Sequence, residues 1–367
     1  MAFSRSNPSY YRGVTSARWI AFQTLVAVES GAFADEQLER RAAGLDSRDA
    51  GLATQIVYGV LRRKAQLDWA IARQAPGRKL EPEVRVALEI GVFQRLFLER
   101  IPAHAAVSES VEMVRAARKA SAAGLVNAVL RRMNRVPEWP DRAVALSMPQ
   151  WLLERWDHAF GEDAATLAAL AALEPPEECW RGERRMDTGA QKVAELVAAR
   201  PGELVLDLCA APGNKTAILV ETGARVIAAD ISPRRILDVG PAAARVLLDA
   251  SQSLPLRQMF DWVLADVPCS GTGTLGRNPE IKWRLQPSDL TRQAARQRAI
   301  LEQGLACLKS GGRLVYSTCS LEPEENQEVV ERVAGARVQR VMTRLPGRDR
   351  GDGFQAYVIS SEGPAND

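Results

Sequence analysis

Two cysteines of this 367-residue chain stand where a thiol could act as a nucleophile. Cys269 closes the tetrapeptide that begins at Asp266, and Cys319 lies between Thr318 and Ser320; each segment follows a short apolar run typical of a strand. A thiolate whose pKa is lowered by its surroundings can attack an electron-poor ring covalently. Two cysteines at comparable loop positions, one of them beside an acid, are harder to explain as packing than one alone.

The remaining cysteines give a weaker signal. An isolated cysteine is usually a small buried apolar residue, and we interpret Cys179 and Cys307 in that way. Five cysteines cannot all pair, and the chain has no C-x-x-C spacing, so the sequence predicts neither a disulfide framework nor a metal site.

Three aspartates end successive short apolar runs in the same part of the chain: Asp207, Asp230 and Asp249. An acid at the carboxyl end of the second parallel strand commonly binds the ribose hydroxyls of a nucleoside cofactor. Each aspartate alone could equally cap a helix. Together, and beside one turn of small residues, they predict a nucleoside cofactor at the edge of a sheet.

That turn, from Cys209 to Lys215, follows Asp207 directly. Small side chains let a ligand approach the backbone, and free N–H groups at the start of the next helix can bind polar groups. The turn is not a P-loop, because it lacks the first glycine that this motif requires, and it does not match G-x-G-x-x-G. Taken alone, plain strand-to-helix geometry explains it equally well.

The elements around these residues indicate an α/β domain. From about Val193 onward, short apolar runs alternate with helical segments, which predicts a doubly wound parallel sheet. Residues 336–343 and 354–360 are expected to form a closing hairpin.

The chain up to about Arg135 has a different pattern. Apolar residues recur at i, i+3 and i+4 spacing between breakers such as Gly31 and Pro102, which predicts an all-helical bundle. Prolines then mark a linker with two more helices, residues 150–160 and 164–173. We therefore expect three parts: a helical domain at 1–138, a helical linker at 139–186 and the α/β domain at 187–367.

Composition narrows the class of protein. The chain is 46% hydrophobic and 25% charged, which is typical of a globular protein, and no apolar run is long enough for a membrane span. Met1 to Arg18 lack the pattern of a secretory signal, so we expect a cytoplasmic protein, and we expect a monomer.

Residues 1–140 carry an excess of seven positive charges and the remainder an excess of four negative ones, with arginine far outnumbering lysine. This bias favours nucleic-acid binding without requiring it.

Four sequence blocks closely resemble the bacterial RsmB (Sun/Fmu) 16S rRNA cytosine-C5 methyltransferases. They are Asp207 to Lys215, Asp266 to Cys269, Arg277 to Arg284 and Ser317 to Asn326. The helical part looks like the NusB-type RNA-binding domain of that family. The resemblance implies an all-α NusB-like N-terminal bundle plus an α/β Rossmann-like class I S-adenosylmethionine-dependent methyltransferase domain, acting on 16S rRNA.

The resemblance also implies roles for individual residues. Cys319 matches the nucleophile that adds to cytosine C6, Cys269 the cysteine that helps release the product, and Asp266 the acid facing the N3/N4 edge of the base. Lys282 and Arg284 would lie where substrate RNA passes, unless they belong to a solvated charged loop. The residues expected to bind S-adenosylmethionine are Asp207, Cys209, Ala210, Ala211, Pro212, Gly213, Asn214, Lys215, Asp230, Asp249 and Asp266.

Three departures from the family pattern bear on activity. Asn214 replaces the usual second glycine, and because asparagine tolerates a left-handed backbone, we expect a weakened rather than a lost cofactor fit. The segment before Leu204 is short, and the strand pair expected before Asp187 is predicted to be absent. The interval between Asp230 and Asp249 is short for a helix plus a strand.

Two alternatives remain open. The same chemistry on tRNA is compatible with the sequence, because the catalytic blocks do not encode the RNA. A NusB-like RNA-binding or assembly factor with a decayed methyltransferase domain would fit the shortened segments, although retention of both cysteines and the acids argues against it. A DNA cytosine methyltransferase is disfavoured, since that family places its nucleophile in the Pro-Cys block.

Overall fold

A computed structural model describes residues 16–241, 243–334 and 337–362, and the chain divides into two compact units, Met1–Leu153 and Glu154–Asp367. Most of the segment that lacks a secretory pattern, and Ala336 at the start of the predicted hairpin, lie outside the described residues. No helix within the described ranges is both long and apolar enough to cross a membrane.

The first unit is helical, as predicted. Apolar positions one turn apart, such as Ile56 and Val60 in its third helix, face a core that also contains Leu88 and Leu130. Its helices are α1 (Ser16–Glu29), α2 (Ala34–Ala42), α3 (Ser47–Arg62), α4 (Lys64–Gln74), α5 (Pro82–Phe97), α6 (Ala103–Ala116), α7 (Ala123–Arg132) and α8 (Arg142–Ala145).

The second unit is an α/β domain entered through helices. It begins within α9 (Gln150–Phe160) and continues through α10 (Glu162–Ala171), β1 (Trp180–Arg181), β2 (Arg184–Arg185) and α11 (Thr188–Leu196). The alternating part contains β3 (Leu204–Asp207), α12 (Asn214–Glu221), β4 (Arg225–Asp230), β5 (Ala244–Leu247), β6 (Phe260–Asp266), α13 (Ile281–Arg284), α14 (Pro287–Cys307), β7 (Leu308–Thr318), α15 (Gln327–Val333), β8 (Val338–Arg344) and β9 (Phe354–Ser360).

Seven strands form one twisted sheet in the order β5-β4-β3-β6-β7-β9-β8. The first five positions are parallel, whereas β9 pairs antiparallel with both β7 and β8. The predicted closing hairpin is therefore present, with β9 inserted between β7 and β8. Since β3 has β4 on one side and β6 on the other, the strand order reverses there, at the position where open α/β sheets bind ligands.

The structure defines the two segments that the sequence showed to be short, the one before Asp187 and the one between Asp230 and Asp249. The strand pair predicted to be absent is present as a minimal hairpin, since Trp180 pairs with Arg185 and Arg181 with Arg184. That prediction was wrong because two-residue strands are too short to show a period of two. Between β4 and β5, a single 3₁₀ turn at Arg235–Asp238 replaces a full crossover helix.

Candidate active site

The two cysteines singled out from the sequence face each other. Cys269 and Cys319 follow the adjacent parallel strands β6 and β7, and their Sγ atoms are 3.4 Å apart. Both are free thiols and both are half-buried. The two thiols are therefore close enough to act on the same atom of a substrate or on two neighbouring atoms.

The pKa of Cys269 departs clearly from its usual value. The hydrogen bond with Cys319, together with burial, raises it well above that value. As a thiol, Cys269 can donate the hydrogen bond between the two sulfur atoms.

The loops that carry the thiols run side by side. Ser270 Oγ lies 3.0 Å from Ser320 Oγ, the Leu321 N–H donates to Thr272 Oγ1 at 2.9 Å, and the Gly273 N–H donates to the Cys319 carbonyl at 2.8 Å. The backbone contact requires glycine, because a Cβ at position 273 would lie 2.8 Å from the Cys319 carbonyl oxygen and closer still to that of Gly353. The two loops are thus held together by side-chain and backbone contacts.

Asp266, the last residue of β6, accepts two hydrogen bonds. Ser317 Oγ donates to one carboxylate oxygen at 2.7 Å, and Lys215 Nζ to the other at 2.5 Å. Although burial of the ammonium group opposes its charge, the carboxylate of Asp266 raises the pKa of Lys215 above its usual value. The ion pair of Lys215 and Asp266 therefore lies beside the cysteines. It is half-buried, so it can form hydrogen bonds with the polar groups of a nucleobase.

A cavity of about 320 Å³ opens at the carboxyl ends of β3 and β6. Of the residues expected to bind the cofactor, its walls include Asp207, Cys209, Ala210, Ala211, Pro212, Asn214, Lys215 and Asp266. Burial raises the pKa of Asp207 to about 7, while a 2.7 Å hydrogen bond from Thr216 Oγ1 opposes that rise. Burial also raises the pKa of Cys209, so this cysteine remains a thiol.

The turn adopts its conformation through Gly213, not through Asn214. Gly213 has a φ of +102° and immediately precedes α12, whereas Asn214 is the first residue of that helix and is absent from the positive-φ residues. The expectation that Asn214 must tolerate a left-handed backbone was therefore wrong, because its neighbour takes that conformation at no steric cost.

Asp230 and Asp249 do not line this cavity. Asp230 is buried and accepts hydrogen bonds from the backbone N–H groups of Ala211 and Ser232 at 3.2 and 2.8 Å, which hold the turn against β4. Asp249 is half-buried, and hydrogen bonds from Ser251 lower its pKa. Their binding of ribose and adenine remains a prediction.

Lys282 and Arg284 are placed unequally. Lys282 in α13 is only 1% exposed, and its ammonium group lies 5.0 Å from the centre of the Trp283 ring. Helix α13 therefore turns the Lys282 side chain inward. The contact of both residues with substrate RNA remains a prediction. Arg284 is half-buried.

Sequence reasoning assigned no individual roles to a group of buried polar residues behind the cysteines. Glu322 accepts hydrogen bonds from Trp156 Nε1 at 3.0 Å and from Arg155 Nε at 2.9 Å, which attach α9 to the segment after Cys319. Glu325 and Asn326 are completely buried as well. The available signal was the density of polar residues directly after a buried strand, but their partners are distant in the chain.

Comparison with known proteins agrees with both units. The family model described as 16S rRNA methyltransferase RsmB/F matches residues 194–354, and the NusB family model matches residues 15–135. The crystal structure of PH0851 resembles this fold with a TM-score of 0.76 at 18% identity, over 98% of this chain and all of that one.

Curated relatives match over most of the chain. A ribosomal RNA small subunit methyltransferase B from Thermus thermophilus is 37% identical, covering 85% of this chain and 86% of the relative. The protein of the same name from Erwinia tasmaniensis is 31% identical, covering 93% and 97% respectively. On this similarity, together with the paired thiols and the cavity beside them, the chain belongs to the RsmB/F family of 16S rRNA methyltransferases.

Proposed function

We propose that this protein transfers a methyl group to C5 of a cytosine in 16S rRNA, with Cys319 as the covalent nucleophile. The observation that carries the proposal is the 3.4 Å separation of the Cys319 and Cys269 sulfur atoms, beside the ion pair of Lys215 and Asp266. Two adjacent thiols match a reaction that must both form and release a covalent bond to the base.

S-adenosylmethionine is the cofactor of this family, and it supplies an electrophilic methyl group. The residues present fit such a molecule. The left-handed Gly213 is packed so closely against the backbone of Val239 that a Cβ there would lie 2.9 Å from its Cα. The resulting turn leaves small side chains facing the cavity, and Asp207 and Asp266 supply carboxylates for a ligand that carries positive charge. We propose that Asp207 to Lys215 hold the methionine end, Asp230 the ribose and Asp249 the adenine.

In the first step we assign to this chain, the Cys319 thiolate adds to C6 of the cytosine. The C5–C6 double bond is lost, and C5 gains the electron density needed to take a methyl group. Asp266 is proposed to face the N3/N4 edge and stabilise the protonated ring nitrogen of the adduct. The base must leave its stack to reach Cys319, which favours a loop or single-stranded target.

In the second step, a water molecule takes the proton from C5, the electron pair of that bond restores the C5–C6 double bond, and the bond to Cys319 breaks with the sulfur leaving as a thiolate. We assign assistance in this release to Cys269, whose retained proton and 3.4 Å distance from Cys319 support the role. The departing Cys319 thiolate can then accept the hydrogen bond from Cys269.

Further parts of the proposal concern organisation. We propose the division 1–138, 139–186 and 187–367; the two family matches fall inside the first and third parts. We also propose that the protein is a cytoplasmic monomer, that its RNA is unassembled or partly assembled small-subunit RNA, and that Lys282 and Arg284 contact this RNA. Light scattering would overturn the monomer if it gave twice the mass of 40.1 kDa.

The test uses the full chain, methyl-labelled S-adenosylmethionine, and two RNAs that lack modification, 16S rRNA and a tRNA mixture. We expect labelled 5-methylcytosine in 16S rRNA with the wild type and at least a thousandfold less with Cys319→Ala, because the nucleophile is lost. Equal labelling by Cys319→Ala, or labelling of tRNA alone, contradicts the proposal.

A further inference from the structure

Glu325 is a buried side chain that accepts hydrogen bonds from Ser270, next to Cys269, and from Gln297 in α14. Its Oε1 accepts from the Ser270 N–H at 2.8 Å and from Gln297 Nε2 at 3.0 Å, and its Oε2 accepts from Ser270 Oγ at 2.5 Å. Gln297 Nε2 also donates to the Pro268 carbonyl at 3.0 Å. Glu325 therefore holds the residues on both sides of Cys269, although it lies six positions after Cys319.

Asn326, the next residue, bonds instead to the loop of Cys319. Its side-chain oxygen accepts from Thr318 Oγ1 at 2.6 Å, and its side-chain nitrogen donates to the carbonyls of Ser320 and Glu322 at 3.0 and 2.9 Å. Like Glu325, it is completely buried. Its bonds bracket Cys319 on both sides and do not reach Cys269.

We propose that Glu325 is the positioning residue for Cys269 and that Asn326 is the positioning residue for Cys319. Each of these two side chains then positions one thiol. Glu325 acts through its hydrogen bonds to Ser270, and Asn326 through its hydrogen bonds to Thr318 and Ser320. This inference rests on the proposed function, because it assigns the two residues to different steps of the same reaction.

The separation follows from what each side chain can donate or accept. An ionised carboxylate only accepts, and three donors converge on Glu325. A glutamine has one acceptor oxygen and one donor group, so in Glu325→Gln the NH₂ group faces either the Ser270 hydroxyl or the two N–H donors. The hydroxyl must then turn from donor to acceptor and loses its bond to a carboxylate, or the two N–H groups lose their acceptor. Either change holds the segment of Cys269 less tightly, whereas the bonds of Asn326 to the segment of Cys319 are unchanged.

The two variants should therefore fail at different steps. Glu325→Gln retains the attack by Cys319 but slows release, so it should accumulate a covalent protein–RNA adduct, as we also expect of Cys269→Ala. Asn326→Ala misplaces the attacking sulfur, so it should give little adduct and little product, as we also expect of Cys319→Ala. A general loss of stability cannot produce the first of these results.

The experiment mixes the full chain with S-adenosylmethionine and unmodified 16S rRNA and measures adduct on denaturing gels beside methyl transfer. We expect at least fivefold more adduct than wild type for Glu325→Gln. Two controls are Glu322→Gln, which removes another buried carboxylate after Cys319, and Glu331→Gln in α15, whose carboxylate accepts from Gln327 at an exposed position. Neither control should accumulate adduct.

The inference is overturned if Glu325→Gln gives no more adduct than Glu322→Gln, or if it loses adduct and product together. Should Glu325→Gln not fold, Ser270→Ala removes only the hydroxyl donor, and its adduct must still exceed that of the wild type. Failure of the proposed function gives a different pattern, since wild type would then form no methylcytosine and Cys269→Ala no adduct.

A measurement without RNA checks the geometry directly. Diamide oxidises two nearby thiols to a disulfide, taking up both protons and both electrons as it becomes the hydrazine. Wild type should form the bond between Cys269 and Cys319 rapidly, and Glu325→Gln at least fivefold more slowly. Equal rates for the two proteins would show that Glu325 does not set the position of Cys269.

Discussion

Asp207 combines complete burial with a place on the wall of the active-site cavity. Burial raises its pKa to about 7, compared with about 4 in an unfolded chain. Between these values, the folded state keeps a proton that the unfolded state releases. The contribution of Asp207 to the free energy of unfolding is therefore present below pH 4 and is lost as the pH rises to about 7.

We predict that Asp207→Asn weakens the pH dependence of stability. The free energy of unfolding of wild type should contain a decrease between pH 4.5 and pH 8, of up to about 4 kcal/mol, that the variant lacks. Urea denaturation at the two pH values measures it, with Asp163→Asn at an exposed site of α10 as the control. An identical decrease in wild type and Asp207→Asn would show that Asp207 does not keep its proton on folding.

For individual residues, the sequence indicated which candidate groups lie close together but not which side chains bond to them. Cys269, Cys319 and Asp266 follow strand ends, and neighbouring parallel strands bring such positions together. The bonds from Ser317 and Lys215 to Asp266 each cross 51 positions of the chain, and those from Ser270 to Glu325 cross 55. No local pattern encodes such pairs. The inward turn of Lys282 was missed for the same reason.

Among the elements, the loops after β6 and β7 depend on close backbone packing at Gly273. The Gly273 N–H donates to Cys319, and its carbonyl accepts from the Gly353 N–H, both at 2.8 Å. The segment before β9, which contains Gly353, is thereby hydrogen-bonded to the loop after β6, and that loop is bonded in turn to the loop of Cys319.

We predict that Gly273→Ala destabilises the second unit by about 1–3 kcal/mol, because the added methyl group meets backbone carbonyls that cannot move independently. Methyl transfer should fall more than tenfold, since the loops separate. Gly240→Ala, at a site with open space around it, serves as the control in urea denaturation and activity assays. Unchanged stability and activity in Gly273→Ala would contradict the packing described here.

Elements with a clear period were predicted well, and irregular ones were not. The central strands stand out as short apolar runs, the helices of the first unit are long enough to show a period of 3.6 residues, and the predicted fold class is confirmed. The hairpin of β1 and β2 has two residues per strand, and only a 3₁₀ turn precedes β5. Such pieces have no repeating pattern, so only the three-dimensional structure defines them.

In the whole molecule, each unit is built around its own apolar core. The core of the first unit lies within residues 17–133, whereas the apolar clusters on the sheet lie within residues 193–359. The excess of positive charge belongs to residues 1–140, where attraction to the phosphates of RNA would be useful. The cavity at the carboxyl ends of β3 and β6 is lined by residues of the second unit.

We predict that Leu130→Ala weakens the first unit without affecting the cofactor site. Leu130 is fully buried, so its loss should cost about 2–5 kcal/mol of unfolding free energy. Calorimetric titration should still give an S-adenosylmethionine affinity within twofold of wild type. Leu264→Ala, in β6 near Asp266, should lower the free energy of unfolding of the second unit and also the affinity for S-adenosylmethionine. Loss of cofactor binding in folded Leu130→Ala would contradict this division.

The most direct measurement of the central claim is the identity of the residue that bonds to the base. RNA carrying 5-fluorocytosine cannot complete release, because fluorine replaces the C5 proton that must leave, so the adduct persists. After digestion, mass spectrometry of the wild-type adduct should place the nucleotide on Cys319, and Cys319→Ala should give no adduct. A nucleotide bonded to Cys269, or an adduct formed equally by Cys319→Ala, would contradict the account.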